Sequence, residues 1–175
     1  MAKLRKWVAY RRLERPNTRF SKVRNKAYVK ARPGKKVVKY YMGDLRADPN
    51  NFPVKLKLIA KEDGQIRANA IEAGRVTALK GLEKEMGKTG FYYRVKAIPH
   101  HVIRENPLAA GAGADRLSTG MKHSFGKTIG TAAQVPKGKD LFELWLPEGK
   151  EDFGRSMLKK TSKKLPLKTS IVLEE

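Results

Sequence analysis

The sequence contains no cysteine and no long apolar run. The absence of cysteine excludes a disulfide scaffold, a thiolate nucleophile and any zinc site with sulfur ligands. No stretch approaches the ~18 apolar residues that a membrane helix needs, so we expect no membrane partner. The N-terminal residues Met1–Lys6 lead into more charge and not into the apolar segment of a signal peptide, which favours a cytoplasmic protein.

Acidic residues are scarce relative to basic ones. The chain has 17 Asp and Glu residues against 39 Lys and Arg, a formal net charge of +22 over 175 residues. An isolated globule repels itself at such a charge, so we expect a polyanionic partner. Apolar residues make up 40% of the chain, which is lean but sufficient for a core. The length suits one domain with extensions.

Most of the excess charge lies near the N-terminus. Residues 1–40 hold fifteen Lys and Arg residues and a single acid, Glu14. Their apolar residues are spaced singly, so burial alone cannot offset the entropy of ordering the segment. We therefore predict a basic arm over residues 1–35 that orders only on a partner. Basic side chains interleaved with aromatic ones suit RNA, whereas the alternative is a solvated tail. The candidate RNA contacts of the arm are Lys3, Arg5, Lys6, Arg11, Arg12, Arg15, Arg19, Lys22, Arg24, Lys26, Lys30, Arg32 and Lys35.

Residues 36–175 have the alternating and helical apolar patterns that are typical of a folded domain. Periodicity predicts strands at 36–43, 54–61, 91–98, 101–104, 131–135, 140–146 and 169–173, and helices at 65–86 and 148–164. The strands at 131–135 and 140–146 are predicted to form a pair around the Pro136–Gly138 turn. This order gives two similar strand–helix sets, and it indicates an α+β fold with helices packed on a mainly antiparallel sheet.

Three arginines of this domain are further candidate RNA contacts: Arg75, Arg94 and Arg104. Arg94 lies on the outward face of the strand predicted at 91–98. Arg75 lies on the apolar stripe of the first helix, where two interpretations stay open. Its stem could pack while its head reaches the rim, or the head could bind a phosphate.

The residues between Glu105 and Gly130 show neither the helical nor the strand periodicity of apolar side chains. A segment this long without secondary structure is usually either functional or disordered. Its five glycines, at 111, 113, 120, 126 and 130, would let the backbone approach a ligand closely. Lysine and arginine supply charge, and Phe125 can stack. We interpret the segment as a loop inserted into folded RNA, with a mobile surface loop as the alternative.

The segments that look like enzyme motifs do not satisfy the spacing that those motifs require. A phosphate-binding loop ending in Gly126-Lys127-Thr128 would need glycine at position 121, which is Met121. A dinucleotide fingerprint starting at Gly111 would need glycine where Arg116 stands. His100 and His101 are adjacent on an extended segment and point opposite ways, which disfavours a shared metal ion. We predict no catalytic site, no metal site and no cofactor.

The loop carries a resemblance to a known family. The run from Ala112 to Met121 (AGADRLSTGM), followed by Phe125-Gly126-Lys127, resembles a universal large-subunit ribosomal protein. This family is called L ten e in archaea and eukaryotes and L sixteen in bacteria. The likeness extends through residues 90–104 and 70–75, and the form of the loop is similar to that of the archaeal type.

The resemblance implies an α/β-hammerhead-like two-layer sandwich and a non-enzymatic constituent of cytoplasmic ribosomes. It implies binding to large-subunit rRNA near the base of the central protuberance, with neighbouring ribosomal proteins as further partners. The glycine-rich loop would extend toward the peptidyl transferase centre, between the A-site and P-site tRNAs, and help to position aminoacyl-tRNA. The loop residues that carry this expectation are Gly113, Asp115, Arg116, Gly120, Met121, Lys122, His123, Phe125, Gly126 and Lys127.

The alternative function is that of a basic protein that binds DNA or tRNA outside the ribosome. A DNA-compacting protein would share the net charge of this chain, but it would give no reason for the long glycine-rich loop. A free tRNA-binding factor would explain both the charge and the loop. Sedimentation with ribosomal particles separates these possibilities.

Overall fold

The computed structural model describes residues 5–14, 33–105, 111 and 126–174. Within these residues the chain forms eight strands and two α-helices, which confirms the predicted α+β class. The strands are β1 Tyr41–Gly43, β2 Val54–Ala60, β3 Gly64–Arg67, β4 Tyr92–Val95, β5 His101–Glu105, β6 Lys127–Val135, β7 Asp140–Leu146 and β8 Thr169–Glu174. The helices are α1 Ala68–Met86 and α2 Glu151–Ser162.

The larger sheet has five antiparallel strands in the order β1-β4-β7-β2-β8. Burial alternates strictly along β2, where Leu56 and Leu58 face the core and Lys55 and Lys57 lie on the outer face. This is the alternation that the sequence predicts, because successive side chains of a strand point to opposite faces. The sheet therefore has an apolar inner face, whereas β2 carries lysines on its outer face.

The smaller sheet has three antiparallel strands in the order β3-β6-β5. The predicted pairing of the strands at 131–135 and 140–146 is wrong, because β6 belongs to this sheet and β7 to the larger one. The turn between them pairs with the end of β2 instead: Gly138 donates its N–H to the Ala60 carbonyl at 2.8 Å. Gly138 has a φ of +83°, a conformation that favours glycine. The turn thus carries the chain from one sheet to the other.

The first helix begins later than predicted. Residues 64–67, whose last three were assigned to the helix, form β3, in which Gln65 pairs with Gln134 and Ile66 with Ala133. Both Gln65 and Ile66 are buried, so the sheet and not a helical stripe covers them. The predicted end of the helix is confirmed. Gly87 adopts a φ of +69° and donates its N–H to the Glu83 carbonyl at 3.1 Å.

The second helix packs directly on the larger sheet. Gly154 of α2 faces Leu56 and Leu146 so closely that a Cβ atom there would collide with both side chains. Met157 and Leu158 are buried, as the sequence predicts. Acidic residues occupy the first turn of α2 and lysines its last turn, which complements the helix dipole.

The beginning of the basic arm is docked on the smaller sheet. Trp7–Tyr10 form a 3₁₀ turn, and the Trp7 ring occupies the space that Gly64 leaves by lacking a side chain. Gln65 donates its Nε2–H to the Arg12 carbonyl at 2.7 Å, and Tyr10 is buried. The prediction that the arm orders only on a partner is therefore wrong for residues 5–14. Aromatic burial against β3 supplies the contacts that local periodicity could not reveal.

Candidate nucleic-acid interface

The docked part of the arm presents its basic side chains to solvent. Trp7 and Tyr10 face the sheet, so the four predicted RNA contacts within residues 5–14 are all exposed: Arg5, Lys6, Arg11 and Arg12. Lys35, at the other end of the arm, is exposed as well. The remaining predicted contacts lie outside the described residues: Lys3, Arg15, Arg19, Lys22, Arg24, Lys26, Lys30 and Arg32.

A cavity of about 370 Å³ lies between the arm and the smaller sheet. Arg5 and Glu14 line it from the arm, and Gln65, His101 and Arg104 line it from the strands. Two predicted RNA contacts, Arg5 and Arg104, thus converge on one space although they are far apart in the chain. The sequence offers no sign of this convergence, because it depends on the docking of Trp7 and Tyr10.

Two paired antiparallel strands, β5 and β6, flank the predicted loop in the sequence. Strands β5 and β6 pair from His101↔Ala132 to Glu105↔Lys127, so the boundaries predicted at 105 and 130 lie inside paired strands. Gly126, which precedes β6, has a φ of +117°, and Lys127 is exposed. The other predicted loop residues lie outside the described residues: Gly113, Asp115, Arg116, Gly120, Met121, Lys122, His123 and Phe125.

The lysines on the outer face of β2 are paired and not free. Lys55 and Lys57 both contact the carboxylate of Glu174 in β8, with 2.5 Å between each Nζ and a carboxylate oxygen. These hydrogen bonds lower the pKa of Glu174 to about 2, and the bond to Glu174 raises the pKa of Lys57. The predicted basic face of β2 is therefore partly neutralised by an acid from a distant strand.

Arg94 also lies on this outer face, as predicted. It keeps 40% of its side chain exposed, and its Nη1 atom lies 3.9 Å from the buried carboxylate of Glu143. Lys96, two residues further along, lies 2.7 Å from the same carboxylate. Lys96 also lies 3.4 Å from the carboxylate of Asp140, so the two cations face two anions. Sequence reasoning missed Glu143, because nothing in the local pattern of β7 marks it as their partner.

Arg75 is buried inside the domain. Its Nε donates to Glu72 at 2.9 Å, and its Nη1 lies 3.3 Å from the Met42 sulfur. The hydrogen bond lowers the pKa of Glu72 and raises that of Arg75. Only 7% of the Arg75 side chain is exposed, so the geometry disfavours a phosphate contact. The packed interpretation is right about the stem, but the head pairs with Glu72 and does not reach the rim.

His101 makes the loop stem sensitive to pH. Burial, together with the charges of His100 and Arg104, lowers its pKa to about 4. Its unfolded value is near 6.5, so the stability contributed by the neutral ring is complete above about pH 6.5. It is lost as the pH falls through about 4, because the unfolded state binds the proton first.

We expect the free energy of unfolding to drop by about 3 kcal/mol more in the wild type than in His101→Gln between pH 7 and pH 4. Urea unfolding of both proteins at the two pH values measures this difference. Subtracting the His101→Gln curve removes the titration of carboxylates that both proteins share. An identical pH dependence in the two proteins would contradict the assignment.

The described part of the chain holds no group of three or more His, Asp or Glu residues placed to bind one metal ion. Within the same residues, neither α-helix is long and apolar enough to cross a membrane.

Comparison with known proteins identifies a family that this chain matches. Residues 15–172 match the family described as ribosomal protein L16p/L10e. A relative from Archaeoglobus fulgidus, named large ribosomal subunit protein uL16, is 40% identical over 166 residues, covering 95% of this chain and 90% of the relative. A protein of the same name from Methanococcus maripaludis is 41% identical over 170 residues, covering 97% and 94%. Another from Nanoarchaeum equitans is 42% identical over 149 residues, covering 85% and 80%.

Proposed function

Because the chain belongs to the ribosomal protein L16p/L10e family, we propose that it is a structural constituent of the large ribosomal subunit in cytoplasmic ribosomes. The family resemblance stated from the sequence is thereby confirmed. In this role the chain binds rRNA and neighbouring ribosomal proteins, and the chemistry of translation belongs to other components. The observation that carries this proposal is the family match across nearly the whole chain.

The structure suggests how the chain binds rRNA. Trp7 and Tyr10 anchor the arm on the smaller sheet, so its exposed lysine and arginine side chains occupy defined positions before RNA binds. Each lysine or arginine that neutralises a phosphate releases counterions, which favours binding. Preorganised cations lose less conformational entropy on binding than cations on a free tail. The folded domain thus serves as a platform that presents charge to the rRNA backbone.

The finer part of the proposal concerns the loop. We place the chain near the base of the central protuberance, with the loop directed toward the tRNA sites, where it helps to position aminoacyl-tRNA. The sequence resemblance of residues 112–127 supports this placement. The antiparallel stem of β5 and β6 supports it as well, because a paired stem gives the loop a defined direction of departure.

Sedimentation through a sucrose gradient tests the proposed function. A tagged chain expressed in an archaeal host should migrate with the large subunit and stay there after a high-salt wash that strips loosely bound proteins. Free ribosomal subunits separated at low magnesium provide the control for the small subunit. Recovery at the top of the gradient, bound to tRNA or DNA, would instead support the alternative of a basic protein outside the ribosome.

A further inference from the structure

An open groove lies at the β1 edge of the larger sheet. Its volume is about 410 Å³, within the range of small-ligand sites. Tyr41 and Ile98 form its apolar part and are 47% and 57% exposed. The groove therefore leaves an aromatic ring and an aliphatic side chain open to a ligand.

The aromatic ring in the groove is already stacked on a cation. Tyr41 pairs with Arg94 across β1 and β4, and the guanidinium carbon lies 5.3 Å from the ring centroid. The Glu143 carboxylate also lies 3.9 Å from the Arg94 guanidinium. The Tyr41 ring and this carboxylate together restrict the guanidinium, which presents a planar group at the edge of the sheet. A planar surface that is fixed in advance binds a flat ligand with little loss of entropy.

The charges around the groove select the kind of ligand. Among the described residues that line it, Arg94, Lys96 and Lys139 are cationic and Asp140 is anionic. Lys96 stays protonated, because its hydrogen bond to Glu143 raises its pKa. A flat π surface beside several cations matches a nucleotide, whose base stacks while its phosphate meets an ammonium group. An apolar peptide would leave these cations desolvated, which disfavours a protein ligand.

We propose that this groove binds one unpaired base of RNA, stacked on Tyr41 beside Arg94, with its phosphate at Lys96 or Lys139. The Asp140 carboxylate lies 3.4 Å from the Lys96 ammonium group, so part of its charge is already paired. The inference rests on the proposed rRNA binding and adds a third contact to those of the arm and the loop. It also gives the domain a means to distinguish single-stranded from double-stranded RNA, because a paired base cannot enter the groove.

Fluorescence anisotropy with two labelled RNAs tests the groove. One is a single-stranded oligoribonucleotide, and the other is the same strand in a perfect duplex. Tyr41→Ala should weaken single-strand binding about tenfold, the usual effect of losing one stacked base, and leave duplex binding unchanged. Tyr41→Trp should preserve single-strand binding. Leu45→Ala is the matched control, because Leu45 is similarly exposed, at 60%, and lies outside the groove lining.

Two further measurements separate the possible failures. Arg94→Lys keeps the charge but removes the planar group, so we expect a loss of single-strand affinity with the duplex again unaffected. A strand that contains 4-thiouridine should cross-link to Tyr41 or Ile98. If Tyr41→Ala binds both RNAs like the wild type, or loses affinity for both equally, the groove does not bind a base. If the wild type itself shows no affinity for large-subunit rRNA, the proposed function fails independently of Tyr41.

Discussion

Raising the monovalent salt concentration from 50 mM to 200 mM should weaken the binding of this chain to large-subunit rRNA by on the order of a thousandfold. The reason is counterion release, which makes affinity fall with each phosphate that a lysine or arginine neutralises. The docked turn of the arm alone exposes four such side chains within residues 5–14. Contacts from Lys127 and from the groove would add to the slope. Filter binding across a salt series measures it directly.

A matched pair of variants distinguishes the contribution of the arm to RNA affinity from that of the overall net charge. Replacing Arg5, Lys6, Arg11 and Arg12 with alanine should reduce the slope of log affinity against log salt by about 3, at ~0.7–0.9 per contact. Trp7 and Tyr10 remain, so the turn stays docked. The control removes the same charge from the end of α2, where four lysines are exposed: Lys159, Lys160, Lys163 and Lys164. Equal slopes in the two variants would show that overall charge, and not the arm, governs binding.

Elements with a strong local period were predicted well. The alternation of Leu56 and Leu58 with lysines, and of Phe91, Tyr93 and Val95 with polar residues, reports which face of a strand is buried. The end of α1 at Gly87 and the position of α2 follow from similarly local signals. These predictions succeeded because burial on one face imposes a period that neighbouring residues share.

Features that depend on distant partners were missed. The strand at 64–67 exists because β6 pairs with it and Trp7 packs against Gly64, and neither partner is near in sequence. The division into two sheets follows from the turn at Gly138 pairing with Ala60. A local pattern reports the period of a strand but not its neighbour, so pairing could not be read from it.

In the candidate site, too, local features were predicted and features that depend on tertiary contacts were missed. Composition predicted a basic arm with RNA contacts at Arg5 and Lys6, and the structure exposes both side chains. It could not reveal that Glu174 neutralises the lysines of β2 or that Glu72 pairs with Arg75, because ion pairs depend on tertiary structure. The groove at Tyr41 was likewise invisible, since its wall combines residues from β1, β4 and the turn before β7.

Deleting residues 112–125 should leave the chain folded and bound to the large subunit but reduce peptide synthesis by those subunits at least about tenfold. The deletion retains the whole β5–β6 ladder, including the terminal pair Glu105↔Lys127. The remaining loop is shorter, and shortening a connection changes the free energy of unfolding only slightly. The expected loss is in positioning, because displacing a substrate by about 1 Å can cost about a hundredfold in rate.

Subunits assembled with the deleted chain, purified by sedimentation and assayed for peptide bond formation, provide the measurement. A chain in which glycine and serine replace residues 112–125 at equal length is the first control, and it should be as defective as the deletion. Arg116→Ala with Lys122→Ala is the second, and it removes charge while keeping the glycines. Unimpaired synthesis by the deletion would remove the loop from the function of the ribosome, because occupancy of the subunit is measured in the same particles. If peptide synthesis falls only in proportion to the amount of large subunit recovered from the gradient, the loop acts in assembly instead.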